Sequence, residues 1–115
     1  MNPMNPMLNL SAAGRGDLTL MGMPFMKVRQ VSVQTIDPVS KRVRAMFSSG
    51  KDSVTLSGPI AQQTLNSVVV SVDSSDKGAT TGSLNIAFDG NGSIGMINAS
   101  GQMNGQPYAI QFSTR

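Results

Sequence analysis

From Asp17 onward, apolar and polar residues alternate with a period of two, the pattern of strands that bury one face. Leu18 and Leu20 begin it, and Val31 and Val33 continue it, while Val28 and Ile36 fall on the opposite phase. That change of phase predicts a bulge or twist near Arg29 and Gln30. Asp37-Pro38-Val39-Ser40 reads as a turn, because proline presets φ and aspartate bonds back to the backbone. The return strand places Val43, Ala45 and Phe47 on one face and Arg42, Arg44 and Met46 on the other. Ser49-Gly50-Lys51-Asp52 turns again into Val54 and Leu56, so three strands form a meander.

Gly58-Pro59 is expected to end that meander, with residues 60 to 66 forming a helical turn or a crossover loop. Val68, Val69, Val70 and Val72 form the β-branched run expected of a strand buried on both faces. Residues 73 to 81 are polar and read as a loop. A second meander follows: Leu84, Ile86 and Phe88 alternate, residues 89 to 92 turn, residues 94 to 103 return, Asn104-Gly105 turns, and Tyr108, Ile110 and Phe112 alternate to the end. The fold class is therefore all-β, a single small barrel or sandwich of about seven mostly antiparallel strands. Its expected core is Leu18, Leu20, Val31, Val33, Val43, Phe47, Val54, Leu56, Val68, Val70, Leu84, Ile86, Phe88, Tyr108, Ile110 and Phe112.

The N-terminal pattern differs. Residues 1 to 16 open on a tandem Met-Asn-Pro repeat in which Pro3 and Pro6 block helix and disfavour ladder pairing. They are expected to form an extended arm, with residues 17 to 115 as the β domain. Met1, Met4, Met7, Leu8 and Leu10 are the arm's apolar groups, suited to an adaptable contact with a partner subunit.

Composition narrows the chemistry. The 115 residues, one domain's worth, include no cysteine and no histidine, and all six acids are aspartate. Disulfides, thiolate metal sites and the commonest general base are thereby excluded. Asp37, Asp52, Asp73, Asp76 and Asp89 fall in predicted turns, where aspartate serves the backbone. No catalytic residue, metal or cofactor is expected. Asp73-Ser74-Ser75-Asp76 and the turn at residues 89 to 92 faintly resemble calcium loops but lack their acidic count. Arg15-Gly16-Asp17 is the triplet that adhesion receptors read, carried here beside the arm. No apolar run is long enough for a membrane-spanning helix, and no secretory signal opens the chain, so a soluble, non-exported protein is expected.

Only 13% of residues are charged, against roughly a quarter in typical domains. Six of the nine cations, Lys27, Arg29, Lys41, Arg42, Arg44 and Lys51, fall within residues 27 to 51. Alternation predicts a basic patch on the first hairpin, able to meet phosphates or an acidic protein face. Between Gly90 and Thr114, Tyr108 is the one ionisable side chain.

The run VSVQTIDPVSKRVRAMF at residues 31 to 47 resembles the strand-turn-strand of small OB-like and SH3-like barrels, including those of phage tail and baseplate proteins. The resemblance implies a small barrel and no particular functional residue. The resulting expectation is a non-enzymatic structural protein of a virion, in the capsid or tail, assembled in the host cytoplasm and docking on other subunits through its arm and β domain. The alternatives are a single-stranded nucleic-acid-binding barrel using the basic hairpin, free in the cytoplasm, and an envelope-associated binding domain.

Overall fold

Alternation along the chain becomes a closed wall of strands in the computed structural model, which describes residues 9 to 90 and 92 to 114. The strands are β1 (Asn9–Leu20), β2 (Met23–Asp37), β3 (Arg42–Ser49), β4 (Asp52–Gln63), β5 (Ser67–Val72), β6 (Ser74–Ser75), β7 (Thr80–Phe88), β8 (Ile94–Met103) and β9 (Gln106–Ser113). Each long strand pairs antiparallel with the next, and β9 closes on β1 from Ser113↔Arg15 to Tyr108↔Leu20. β6 continues β5 past Asp73 and pairs with β4. The result is an eight-stranded up-and-down barrel, a size whose interior side chains just fill.

The filling is apolar. Phe47, Phe112, Leu18, Leu56, Leu84, Ile86, Ile97 and Ile110 are among the fully buried side chains, and Ser, Thr, Asn and Gln dominate the outside. Membrane barrels invert this arrangement, with apolar residues facing lipid and a polar lumen. Among the described residues no helix is long and apolar enough to cross a membrane.

Fourteen of the sixteen expected core residues are buried, whereas Leu20 and Phe88 are half-buried and pack against the core from its ends. The expected irregularity near Arg29 is present. Arg29 and Gln30 are both exposed between buried Val28 and Val31, and the β1–β2 register shifts between Ala13 and Gly16. A second shift, at Gly95, lets Ile94 and Ile97 both face inward despite their odd spacing.

Three expectations are corrected. β4 does not end at Gly58-Pro59 but runs on to Gln63, leaving β3 as partner and taking up β5. Gly58 is buried where β4 crosses β5 so closely that a Cβ would collide with the Ser71 carbonyl, so this glycine serves a crossing rather than a turn. β5 is not buried on both faces: Val68, Val70 and Val72 point in, while Val69 is half-buried on the outside and Ser71 is exposed. Residues 9 to 16, placed in the arm by their composition, belong to the barrel wall as the first part of β1. Leu10 pairs with Val33 and packs against the core, so it is not an arm contact. Met1, Met4, Met7 and Leu8 lie outside the described residues.

Residues 31 to 47 do form strand, turn and strand. They do so within eight sequentially paired strands, unlike the five-stranded Greek-key OB barrel.

Candidate functional site

The six cations expected to form one basic patch are placed on four separate parts of the barrel. Lys41 occupies the β2–β3 turn with φ 60, and Lys51 the β3–β4 turn at the opposite end. The eight residues of β3 separate them by roughly 26 Å. Between them, Arg42 and Arg44 project from the outer face of β3. Arg42 donates through Nη1 to Asp73 Oδ2 at 2.9 Å and through Nη2 to Asp73 Oδ1 at 2.7 Å, so its charge is already matched. The pairing holds the Asp73 carboxyl below its ordinary value and raises the Arg42 guanidinium. Arg44 donates to Gln34 Oε1 at 3.0 Å, across the β2–β3 pair.

Lys27 and Arg29 stand apart from that pair and gain a third cation that the linear reading did not attach to them. The bulge in β1 opposite Arg29 brings Arg15 alongside, so Arg15, Lys27 and Arg29 border one surface groove of about 570 Å³. Gly14 and Gly16 line the same groove without side chains, and its one carboxylate, Asp17, lies 4.0 Å from Lys27. Both partners of that ion pair are largely exposed, at 78% and 63%, where such contacts contribute little. The Arg15-Gly16-Asp17 triplet is thus not displayed on a loop. Gly16 pairs with Val28 on one side and Phe112 on the other. Arg15 was assigned to the arm from its composition, and the signal that relocates it is the phase change at Arg29.

Across the β9–β1 seam, beside Arg15 and Asp17, the barrel carries a different surface. Register aligns Val69, Asn85, Asn98 and Gln111 in one outer row across β5, β7, β8 and β9. Ser71, Ser83, Ser100 and Ala109 form a second row, and Ser67, Ala87, Met96 and Ser113 a third. None of these twelve positions is charged. The shortage of ionisable residues after Gly90 is therefore a property of a face, continued onto β5 and β7.

Two further features lay beyond the linear pattern. The β1–β2 hairpin tip exposes Met21, Met23 and Phe25 by 61%, 67% and 58%. Inside the barrel, Tyr108 pairs with Gly101, which pairs with Gly82, and a Cβ on Gly82 would meet the Tyr108 hydroxyl. The missing side chain at Gly82 leaves room for that hydroxyl. The hydroxyl is buried with no hydrogen-bond partner, and burial pushes its pKa up to about 12.

Among the described residues no three His, Cys, Asp or Glu side chains gather as a metal site. Asp37 accepts from the Val39 amide at 3.0 Å, and Asp76 from the Thr55 amide at 2.9 Å. Asp89 accepts from the Ser93 amide at 3.0 Å. These carboxylates hold turns and strand ends, as their positions in the sequence predict. Comparison with protein-family models, curated proteins and solved structures gave no match.

Proposed function

We propose that this chain is a non-catalytic structural protein that builds a virion-type assembly from repeated copies, docking through the uncharged face of β5, β7, β8 and β9. The observation that carries this reading is the absence of charge at all twelve outer positions of that face. Charged residues are depleted from the centres of protein interfaces because removing an ion from water is costly, whereas hydroxyls and amides regain their bonds across the contact.

The occupant is a second copy. Asn, Gln and Ser side chains each donate and accept, so a two-fold arrangement lets identical rows satisfy one another. Four strands about 4.8 Å apart and some six residues long give on the order of 400 Å² of face, about half of what a stable specific interface uses per partner. Isolated pairs are therefore weak, and repetition within an assembly makes them effective. The tandem Met-Asn-Pro segment supplies further apolar contact in this reading. Light scattering across a concentration series tests it. The wild-type chain should gain mass toward millimolar concentration, and Asn98→Lys should stay monomeric with an unchanged melting temperature. A wild-type chain that remains monomeric throughout contradicts self-docking.

A further inference from the structure

We propose that the groove at the β1–β2 bulge binds the backbone of single-stranded nucleic acid, with Arg15, Lys27 and Arg29 meeting phosphates and Phe25 stacking on a base. The geometry of β2 carries the argument. Met26 packs against the core and Val28 is buried, so the alternate residues Lys27 and Arg29 point outward together, and Phe25, the extra residue where the β1–β2 register shifts again, is exposed just before them. Lys27 and Arg29 are about 7 Å apart along the strand, comparable to the phosphate interval of an extended strand. The bulge adds Arg15 beside Arg29, as bulges re-aim side chains.

Several properties select the ligand. The groove lies on the surface and its three cations are exposed, which suits a chain lying across it rather than a single captured anion. Its balance is three cations to one carboxylate, and the Lys27–Asp17 contact at 4.0 Å leaves Lys27 able to exchange partners. Phe25 is 58% exposed two residues before Lys27, in a cleft it shares with Lys77 and Asp52, and an aromatic face beside cations is what sequence-tolerant single-strand binding uses. Arg42 and Arg44, engaged with Asp73 and Gln34, are not part of this surface.

Fluorescence anisotropy of the full chain with labelled oligothymidylate tests the proposal. Binding at low salt should weaken as salt rises, with a logarithmic slope near −2, the value about three single-strand phosphate contacts produce. Lys27→Ala with Arg29→Ala should lower affinity at least tenfold and flatten the slope to roughly one contact's worth. Arg42→Ala should leave affinity near wild type. Phe25→Ala should weaken binding of oligothymidylate but not of an abasic strand of equal length. The proposal is overturned by no binding at low salt, by equal losses in Arg42→Ala and the double variant, or by binding to anionic phospholipid vesicles without binding to the oligonucleotide. Because Asn85 lies on β7 of the uncharged face, three strands from β1 and outside both grooves that Arg15 borders, Asn85→Lys separates this result from self-docking. It should abolish mass gain without abolishing oligonucleotide binding.

Discussion

Arg42 and Asp73 are joined by two parallel hydrogen bonds of 2.9 and 2.7 Å, and between them lies β4. The fork ties the outer edge of β3 to the end of β5 and takes Arg42 out of the cationic surface. The Asp73 carboxyl is held below its ordinary value of 3.8 chiefly by its hydrogen bond from Arg42. A carboxylate lowered on folding stabilises above the unfolded value and loses that contribution as pH falls through the folded one. Arg42→Ala should thus melt a few degrees below wild type at neutral pH. The two melting curves should converge in acid below pH 3.8. A gap that persists there points to lost packing instead.

Tyr108 offers the reverse case, a polar group whose removal should not harm. Its hydroxyl is buried without a partner, and an orphaned donor costs folding roughly 1 to 3 kcal/mol. Tyr108→Phe should therefore be neutral or more stable by up to about that amount in urea denaturation near neutral pH. The sign at high pH follows from the raised pKa. The folded state holds its proton up to about 12, so wild type loses stability as pH rises from 10 toward 12. The variant should lack this part of the alkaline loss.

At the β1–β2 turn, Met21 has φ 53 and Gly22 φ 77, a pair of left-handed residues in a two-residue hairpin. Methionine is strained there, whereas asparagine is favoured. Met21→Asn should stabilise the protein by about 1 kcal/mol, seen as a rise of several degrees in melting temperature. The β8–β9 turn already carries Asn104-Gly105, at φ 53 and φ 80, and should lose stability in Asn104→Met.

Core position should decide the cost of losing a phenylalanine. Phe47→Ala should cost about 3 to 5 kcal/mol, as full burial predicts. Half-buried Phe88→Ala should cost distinctly less, because solvent already reaches its site. Equal losses in chemical denaturation would contradict the difference in burial.

Much of this barrel was legible because period-two alternation, Asp-Pro and Asn-Gly turns are local signals. Val43, Phe47, Leu84, Ile86, Ile110 and Phe112 could be assigned to the core from neighbours two residues away. What escaped depended on strands distant in sequence. Gly58 reads as a breaker until β5 crosses it, and Val69 reads as core until its outer row on β7 is known. Leu10 joins the barrel only because β2 extends far enough to pair with it. The basic sites failed as a single patch for the same reason. Adjacency in sequence put Arg42 and Arg44 with Lys27, whereas register put Arg15 with Arg29 and gave Arg42 to Asp73.

The central claim, that the uncharged face meets a second copy of itself, is tested most directly by a single introduced cysteine, since the chain has none of its own. Ser100→Cys lies on that face, one row from its middle, and Thr55→Cys lies on β4, outside it. Under mild oxidation at high protein concentration, the account predicts that Ser100→Cys forms disulfide-linked dimers rapidly while Thr55→Cys remains monomeric. Equal rates for the two variants, or dimers only from Thr55→Cys, would contradict it.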